Sequence, residues 1–591
     1  MNILVDKVRI AGFRGITNIE LSLPRIAVFI GTNNAGKTSI IKALQLALGD
    51  YSRYLTEEDF HINTDDYVAE RILVDIRIVP LDEHGKRAKI FDDEWVIEFE
   101  GIIQSEPDGS QFVAIRTKCE RDRVKGGFLS SRFWLEAWPE YAVWTEVKTI
   151  SGRQLRNRFD ALPFISIEAQ RDIHQELREK TSYIGKVLSS VEYDAEDVEE
   201  LERMLVNINE KAVGKSEPLS QLKVHLDTLS QSFEGNGQTD ITPFPKKIRD
   251  LSKRFTVHFG ENERNSFSME YHGMGTRSWA SMLTVKAFIE LSAKKHEEEV
   301  EPFFPIIAAE EPEAHLHPNA QRTLFQQLEN SKGQVLVSTH SPFLAAMSDL
   351  QNIRSMVKIN GHTAIKQLPD VFDAEDLLSL QREVMRFRGE VLFARAIILF
   401  EGVTEEQIVP AMFERYFGFS AFSVGVNCIS VGGKNYAPFI KLGCCLGIPV
   451  CVVSDNDGNA RVTIEAQLVN VRHATGLMLS ADEFQIFYLS EHNDIEAELV
   501  NVLEIKAELI EALVLSETKG SNNPHFVAAK QKEFSALDNQ ALLHKLRSAK
   551  ASYAGFLAAV IYKNPQQRAV DGLVPIAFKN AFERVKGWIS A

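Results

Sequence analysis

The sequence predicts an α/β protein with two phosphate-handling sites, each formed where apolar strands end in polar residues. Near the amino terminus, the apolar run 26–30 leads into the glycine-rich segment 31–38. In the last third, one apolar run ends at Glu401, and another ends just before Asp455 and Asp457. Short apolar runs bounded by turn residues are typical of buried strands. The two sites together predict a nucleotide-regulated, metal-dependent enzyme that acts on nucleic acid.

The segment 31–38 fits the P-loop pattern of two glycines followed by Lys and Ser or Thr. Its backbone N–H groups can cradle phosphate, Lys37 can reach the terminal phosphates, and the Thr38 hydroxyl can bind Mg²⁺. Residues 39–48 continue as a predicted helix, whose amino terminus favours an anion. A chance Gly-Lys-Thr loop is the alternative, but the flanking strand and helix favour the P-loop. The residues expected to contact the nucleotide here are Asn33, Asn34, Gly36, Lys37, Thr38 and Ser39.

A later stretch of the chain supplies the other half of a nucleotide site. Residues 303–309 read as a buried strand that ends in Glu310 and Glu311. We expect Glu310 to bind Mg²⁺ and Glu311 to orient the attacking water, as such groups do in phosphoryl transfer. Residues 334–339 form a further predicted strand, and His340 after it can contact the γ-phosphate. A plain strand-end turn is the alternative for His340.

The last third of the chain carries acidic residues at the ends of predicted strands. Glu401 follows the strand 396–400, and the helix after it has Thr404 as its expected N-cap. Asp455 and Asp457 are two residues apart, so both carboxylates can face one metal. Oxygen ligands suit Mg²⁺ or Mn²⁺ better than zinc. The Asp-Asn-Asp-Gly segment alone also fits a solvated turn, so the metal interpretation depends on its pairing with Glu401.

For two later candidate site residues, a structural interpretation is as well supported as a functional one. The acidic run 491–498 contains Glu496 and fits either a metal-binding segment or an exposed helix start. Lys550 lies on a predicted helix that runs to residue 559, where it can stabilise charge on a scissile phosphate or be a surface lysine. Neither residue type nor spacing decides between these interpretations.

Composition predicts a globular protein and excludes several classes. The 591 residues predict roughly two to four domains, and 44% hydrophobic with 25% charged residues are typical of a packed fold. No apolar run reaches about 18 residues and no basic-then-apolar leader begins the chain, so we expect a cytoplasmic protein without a membrane span. The five cysteines lack zinc or disulfide spacing. The net charge of −16 argues against a general nucleic-acid coat protein, although basic stretches at 121–125, 246–249 and 386–388 can form a local groove.

Between the two halves of the nucleotide-binding part, the sequence predicts a helical insertion. Apolar residues recur there at helical spacing among charged ones: Val198, Leu201, Leu205 and Ile208. The insertion is expected to be either a dimerisation element or ordinary packing. The expected domains are 1–170 and 236–370 for the ATPase halves, 171–235 for the insertion, 371–395 for a helical connector, and 396–591 for the metal domain.

The wide gap between the P-loop and the Glu310-Glu311 pair, with a histidine after the next strand, resembles the ABC-type ATPases of the SMC and Rad50 class. In that class a signature segment of one head caps the nucleotide of another, and residues 271–278 stand where that segment belongs. The segment departs from the usual Leu-Ser-Gly-Gly-Gln wording. The resemblance implies a homo-oligomer in which Gly275 and Ser278 contact the nucleotide of another subunit.

The region from residue 396 onward resembles a Toprim domain, the metal fold of topoisomerases, primases and several nucleases. An ABC/SMC-like P-loop ATPase head with a helical insertion, followed by a Rossmann-like Toprim domain, is similar to the OLD (overcoming lysogenisation defect) family. The likeness extends to Arg14 within Gly-Phe-Arg-Gly and to residues 169–172. It implies an ATP-binding DNA endonuclease with two Mg²⁺ or Mn²⁺ ions. The implied metal ligands are Glu401, Glu405, Asp455, Asp457 and Glu496, with Lys550 as a cation at the scissile phosphate.

The resemblance also implies partners and a mode of regulation, and alternative functions remain to be compared with it. Family members include antiphage effectors, and some work beside a helicase or a reverse transcriptase, so DNA and such a companion are expected partners. ATP is expected to control cleavage through a switch between two states, because phosphodiester hydrolysis needs no energy input. A recombination or DNA-end-processing ATPase with an inactive Toprim domain is the principal alternative. A topoisomerase or primase is less favoured, since this length leaves no domain for a tyrosine nucleophile.

Overall fold

The computed structural model of the protein describes both phosphate-handling regions. Some predicted features lie outside the described residues, namely residues 169–172, 271–272, 123–125, 246–249 and 386–388 and the side chain of Lys550. The described residues are 2–62, 68–122, 126–168, 195–221, 258–259, 267–268, 273–359, 361–369, 372, 374–382, 389–476, 480, 482–519, 521, 523–563 and 572–590.

Strands and helices alternate through both described regions. The strands are β1 (Asn2–Phe13), β2 (Ile16–Ser22), β3 (Ile26–Gly31), β4 (Arg71–Leu81), β5 (Gln104–Ser105), β6 (Gln111–Arg121), β7 (Phe128–Trp134), β8 (Gln154–Leu155), β9 (Phe164–Ile167), β10 (His258–Phe259), β11 (Phe267–Ser268), β12 (Ile306–Glu310), β13 (Gln334–Ser338), β14 (Ile353–Ile359), β15 (His362–Lys366), β16 (Ala396–Phe400), β17 (Val426–Ser430), β18 (Val450–Ser454) and β19 (Phe484–Tyr488). The helices are α1 (Lys37–Leu48), α2 (Asp93–Glu98), α3 (Ala195–Lys215), α4 (Met274–Glu298), α5 (Pro318–Glu329), α6 (Pro342–Ala345), α7 (Ala374–Leu380), α8 (Val403–Phe417), α9 (Ala437–Leu446), α10 (Ala460–Thr475), α11 (Ile495–Asn501), α12 (Lys506–Thr518), α13 (Pro524–Ser535), α14 (Asn539–Ala549), α15 (Ala554–Lys563) and α16 (Ile576–Ser590).

An antiparallel sheet forms the first layer of the amino-terminal region. Its strand order is β2-β1-β4-β6-β7-β8, with β5 paired to β6. One face of this sheet packs on α1 through side chains such as Ile10, Val74 and Ile40. The sheet therefore supports the helix that follows the P-loop.

A second sheet carries the predicted nucleotide residues. Its order is β15-β14-β3-β13-β12-β9, and all of these strands are parallel except β15, which pairs with β14 as a hairpin. The strands β3, β12 and β13 are buried almost throughout, as expected for apolar runs in a parallel sheet. Because parallel strands end at one edge, the segments that follow β3, β12 and β13 lie side by side.

A third, fully parallel sheet has the order β17-β16-β18-β19. The strands β16 and β18 are neighbours, so Glu401 and Asp455, which follow them, lie at the same edge. Helices cover both faces of this sheet, as a doubly wound fold requires. One hydrophobic core is continuous between the second and third sheets and includes Val28, Leu344 and Leu399.

The predicted α/β fold class is confirmed, with a P-loop region followed by a smaller parallel domain. The strands predicted at 26–30, 334–339 and 396–400 match β3, β13 and β16 to within one residue. The domain boundaries and the site roles predicted from the sequence stay predictions.

Two local predictions were wrong. Thr404 is not the N-cap of α8, because Gly402 adopts the extended N-cap conformation and Thr404 lies buried in the first turn. The helix predicted to run through Lys550 to residue 559 is interrupted by a 3₁₀ turn at Lys550–Tyr553. The hydroxyl of Ser552 donates to the carbonyl of Ala549 at 2.7 Å, a local bond that competes with helix continuation.

The helix predicted within the insertion is present as α3. Leu201 and Ile208 of the predicted apolar seam are 37% and 49% exposed, so packing among the described residues does not cover them. Among the described residues, no helix is long and apolar enough to cross a membrane.

Candidate nucleotide and metal sites

The predicted P-loop connects β3 to α1 and has two residues with left-handed backbone. Gly36 caps α1 with a φ of 106°, and Asn34 has a φ of 63°, both in the left-handed region. The Lys37 ammonium donates to the carbonyls of Gly31 and Thr32 at 2.9 and 3.1 Å, so the lysine folds back across its own loop. Burial lowers the pKa of Lys37, against the raising effect of nearby carboxylates.

Glu310 lies beside the P-loop, where a Mg²⁺ ligand of a nucleotide site is expected. Its carboxylate lies 3.5 Å from the Lys42 ammonium, and Thr38 is close enough to lower its pKa. Burial raises the pKa of Glu310, while Lys42 lowers it and Glu168 raises it. The structure therefore brings the two predicted Mg²⁺-binding residues of the nucleotide site, Thr38 and Glu310, into contact.

Glu311 and His340 face the same edge of the sheet. The His340 Nε2 atom lies 3.7 Å from the Glu311 carboxylate, whose side chain is 47% exposed. Burial and the charge of Lys37 lower the pKa of His340, whereas Glu311 and Glu313 raise it. A neutral imidazole and an accessible carboxylate suit the orientation of a water molecule at a γ-phosphate.

Sequence reasoning missed the role of Glu313 in holding this edge together. Its Oε1 atom accepts from the Thr339 hydroxyl at 2.7 Å and from the backbone N–H of His340 at 2.8 Å. Glu313 therefore fixes the turn on which His340 lies. The third carboxylate of the Glu-Glu-Pro-Glu run was the available signal.

The remaining predicted nucleotide residues lie in different surroundings. Arg14 donates to Asp59 at 2.8 Å and to the Tyr51 hydroxyl, beside a cavity of about 530 Å³. Gly275 and Ser278 lie in the first turns of α4, where a Cβ atom on Gly275 would meet the His315 carbonyl at 2.4 Å. The other two differ in burial: Asn33 is exposed on the loop, and Ser39 is buried in the first turn of α1.

The second candidate site lies at the carboxyl edge of the third sheet. Glu401 follows β16, Asp455 and Asp457 follow β18, and Glu405 lies in the first turn of α8. Glu496 lies in the first turn of α11, where the buried Tyr553 donates to its carboxylate at 3.3 Å. The structure thus gathers all five predicted metal ligands on neighbouring elements.

Burial and neighbouring carboxylates raise the pKa values of four residues at this edge. Burial, together with the charges of Glu405, Glu401 and Asp457, raises the pKa of Asp455 to about 8. Burial, together with the charges of Glu496 and Glu401, raises the pKa of Glu405 to about 7. The pKa values of Glu401 and Glu496 are raised as well, in both cases chiefly by burial. Mutual repulsion of this kind is typical of sites that receive a compensating cation.

A lysine that the sequence analysis did not single out lies among these carboxylates. The Lys434 ammonium is 2.5 Å from Asp457 Oδ1 and 3.8 Å from Glu401 Oε2. In the part of the chain that the structure describes, no three acidic, histidine or cysteine side chains are already arranged to hold an ion. The donor set nevertheless suits Mg²⁺ or Mn²⁺ in kind, since all of its ligand atoms are carboxylate oxygens.

The last predicted residue of this site, Lys550, begins the 3₁₀ turn Lys550–Tyr553. This turn lies next to Glu496 through the Tyr553 contact. A second contact joins α14 to α11, because Arg547 donates to Asp494, the N-cap of α11, at 2.8 Å. The site therefore draws on the carboxyl-terminal helices as well as on the sheet.

The raised pKa values predict how the stability of the metal-free protein depends on pH. The folded-state pKa values of Asp455 and Glu405 lie above the ordinary values of 3.8 and 4.5, so the folded protein binds more protons than the unfolded chain. The free energy of unfolding should therefore fall as the pH rises from about 5 to about 8. Melting temperatures in chelator across this range would measure it, with Asp455→Asn as the matched variant. The account is contradicted if Asp455→Asn leaves the slope unchanged.

Two family models match the chain. The first is described as "Protein of unknown function (DUF2813)" and matches residues 3–381. The second is described as "Overcoming lysogenization defect protein-like, TOPRIM domain" and matches residues 392–457. The second match spans β16 to β18 and includes Glu401, Glu405, Asp455 and Asp457.

Several relatives are similar over most of their length. The OLD nuclease of Thermus scotoductus is 25% identical over 492 residues, which cover 77% of this chain and 82% of the relative. The Old nuclease of Escherichia phage P2 is 22% identical, covering 91% and 88%. The endonuclease GajA of Bacillus cereus (strain VD045) is 21% identical, covering 76% and 75%.

Proposed function

Since this chain belongs to the OLD (overcoming lysogenization defect) family, we propose that it is a divalent-metal-dependent DNA endonuclease under nucleotide control. One observation supports the proposal above all: five carboxylates meet at one edge of the third sheet, where burial and neighbouring carboxylates raise the pKa values of Glu401, Glu405, Asp455 and Glu496. The relatives named as nucleases support phosphodiester cleavage as the reaction.

The chemistry assigned to the site is hydrolysis of a phosphodiester bond. Glu401, Asp455 and Asp457 would hold one cation, and Glu405 and Glu496 would hold another. Bound divalent ions would activate a water molecule and neutralise charge on the scissile phosphate. Tyr553 keeps the Glu496 carboxylate in position through its hydroxyl. We assign Lys550, at the start of the adjacent turn, to the scissile phosphate.

A DNA-end or recombination ATPase that only binds DNA through its Toprim domain is the rival function. Incubation of the purified protein with supercoiled plasmid and Mn²⁺, without ATP, separates the two. Nicked or linear product supports the endonuclease. DNA binding without scission, at any Mn²⁺ concentration, supports the rival.

We propose that nucleotide control acts through the β14–β15 hairpin. The Thr363 hydroxyl donates to the carbonyl of Ala35 in the P-loop at 3.1 Å. On β14, Met356 lies against the P-loop so closely that a Cβ atom on Gly31 would be 2.4 Å from its carbonyl oxygen. Three residues after Thr363, the Lys366 ammonium lies 3.9 Å from Glu483, which immediately precedes β19. A single hairpin thus contacts the P-loop and the third sheet.

A second connection runs from His340 to Glu401. The residue after His340 is the N-cap of α6, and α6 packs against the 3₁₀ turn Gly389–Phe393. That packing is close, since a Cβ atom on Gly389 would be 2.8 Å from the Pro342 carbonyl oxygen. The same turn leads directly into β16, which ends at Glu401. Part of the predicted 371–395 connector therefore lies between the two sites.

Charge reversal at the hairpin should weaken this control. Lys366→Glu places a second negative charge next to Glu483. The third sheet should therefore respond less to nucleotide bound at the P-loop. We expect ATP binding to stay unchanged. The effect of ATP, measured as the ratio of the cleavage rates with and without it, should become about 2- to 10-fold smaller. Lys358→Glu, on the exposed part of β14, is the matched control. Equal ratios in both variants and in the wild type would rule out the hairpin as a route.

We also propose a homo-oligomer, at least a dimer, in which Gly275 and Ser278 serve the nucleotide of another subunit. The exposed Leu201 and Ile208 of α3 offer an apolar surface for the contact. Light scattering at micromolar concentration tests the oligomeric state, and a strict monomer with and without ATP would contradict the proposal.

We also propose, on the family resemblance, a role in antiphage defence beside a helicase or a reverse transcriptase. The identity of the neighbouring genes tests this role.

A further inference from the structure

Lys434 holds a specific position in the candidate metal site. It lies on the loop between β17 and α9, and its ammonium contacts Asp457 at 2.5 Å and approaches Glu401 to 3.8 Å. Its side chain is 26% exposed, so it is partly accessible to solvent while its ammonium contacts the carboxylates. The two carboxylates follow β18 and β16, so this single cation joins the ends of two neighbouring strands.

Hydrogen bonds to the Gln467 side chain hold the backbone around Lys434 in place. The Gln467 side chain on α10 accepts from the backbone N–H groups of Tyr436 and Ala437 at 3.0 and 3.1 Å, and its Nε2 atom donates to the Lys434 carbonyl at 2.5 Å. Before the lysine, Gly433 has a φ of 138°, a conformation suited to glycine. A lysine side chain on such an anchor can swing on its four-carbon stem without disturbing the fold.

The contact with Asp457 opposes the binding of a second cation beside it. The hydrogen bond of 2.5 Å occupies Oδ1 of Asp457, and the same ammonium lies 3.8 Å from Glu401 Oε2. A divalent ion shared by Glu401 and Asp457 would lie next to the ammonium and would repel it at short range. The lysine and the ion therefore compete for the same carboxylates.

We propose that Lys434 is a displaceable counter-ion: it occupies the Asp457–Glu401 position in the metal-free site and, when a divalent metal displaces it, moves towards the DNA backbone phosphate. The proposal rests on the proposed endonuclease function. The charge of Lys434 first offsets carboxylate repulsion and then offsets phosphate charge. The released ammonium is a compact point charge with three donors, which suits phosphate.

The test uses opposite effects on two ligands of the full-length protein. Lys434→Met keeps the length of the side chain and removes its charge. Calorimetric titration with Mn²⁺ in the absence of DNA should give about 10-fold tighter binding than in the wild type, because a competitor and a repulsive charge are gone. Binding of a fluorescent DNA duplex in Ca²⁺ should become about 3- to 10-fold weaker, because one phosphate contact is lost.

Matched variants separate this role from a structural one. Lys434→Arg keeps the charge and should stay near the wild type in both titrations, and so should Lys532→Met at an exposed position of α13. Mn²⁺ affinity that is unchanged or weaker in folded Lys434→Met overturns the proposal, since a merely structural lysine would give that result. If the wild type binds Mn²⁺ and cuts DNA, only the counter-ion role then fails. A wild type that binds no Mn²⁺ overturns both the counter-ion role and the proposed function.

Discussion

Replacing Asp455 and Asp457 together by Ala will lower the rate of plasmid cleavage by at least about 1000-fold while the protein stays folded. The two residues supply carboxylate oxygens from a single strand end, so their loss removes ligands that Glu401 alone cannot replace. The fold should tolerate the change because the two side chains add to carboxylate repulsion in the metal-free site. Cleavage of supercoiled plasmid in Mn²⁺ measures the loss of activity, and the melting temperature in chelator shows whether the protein stays folded.

The matched control is an acidic residue of the same domain outside the site. Asp482, whose side chain is 92% exposed, serves this purpose as Asp482→Ala and should cleave at the wild-type rate. Undiminished cleavage by pure, folded Asp455→Ala/Asp457→Ala protein would show that the chemistry occurs elsewhere.

Lys37→Ala will weaken ATP binding by about 100-fold and alter how cleavage responds to ATP. The ammonium already lies across the P-loop at 2.9 Å from the Gly31 carbonyl, where the phosphates of a bound nucleotide would replace that contact. Glu311→Ala should act in the opposite way, because this exposed carboxylate is assigned to the attacking water. We expect it to retain ATP, slow hydrolysis and keep cleavage in its nucleotide-bound behaviour.

Equilibrium binding of a fluorescent ATP analogue, phosphate release and plasmid cleavage across ATP concentrations measure these effects. Lys89→Ala, at an exposed position before α2, controls for loss of a lysine in the same domain. If Lys37→Ala and Glu311→Ala both cleave as the wild type does at every ATP concentration, nucleotide does not control the nuclease.

The strands and most site residues could be predicted from the sequence because local patterns define them. Short apolar runs indicated β3, β13 and β16, and a buried parallel strand has few other sequence signatures. Polar residues directly after such runs had to lie at a sheet edge, which identified Glu310 and Asp455. The predicted strand 303–309 was longer than β12, because part of its apolar start lies outside the paired strand. This difference does not affect the site, which the polar end of the strand determines.

The parts that escaped prediction depend on contacts between residues far apart in the chain. Lys434 reaches Asp457 only because β17 and β18 flank β16 on opposite sides, and no spacing encodes that order. Glu313 and Thr339 meet because β12 and β13 pair in register. Thr404 was placed as the N-cap because threonine favours that position, whereas the glycine before it takes the extended conformation.

Diffraction from Mn²⁺-soaked crystals of the full-length protein, at the manganese absorption edge, locates both the metal ions and the Lys434 ammonium. We expect anomalous peaks at about 2.1 Å from carboxylate oxygens of Glu401, Asp455 and Asp457. We also expect the Lys434 ammonium to have left Asp457. Absence of any peak at this edge of the sheet, with Lys434 still bonded to Asp457 at saturating Mn²⁺, would contradict both expectations.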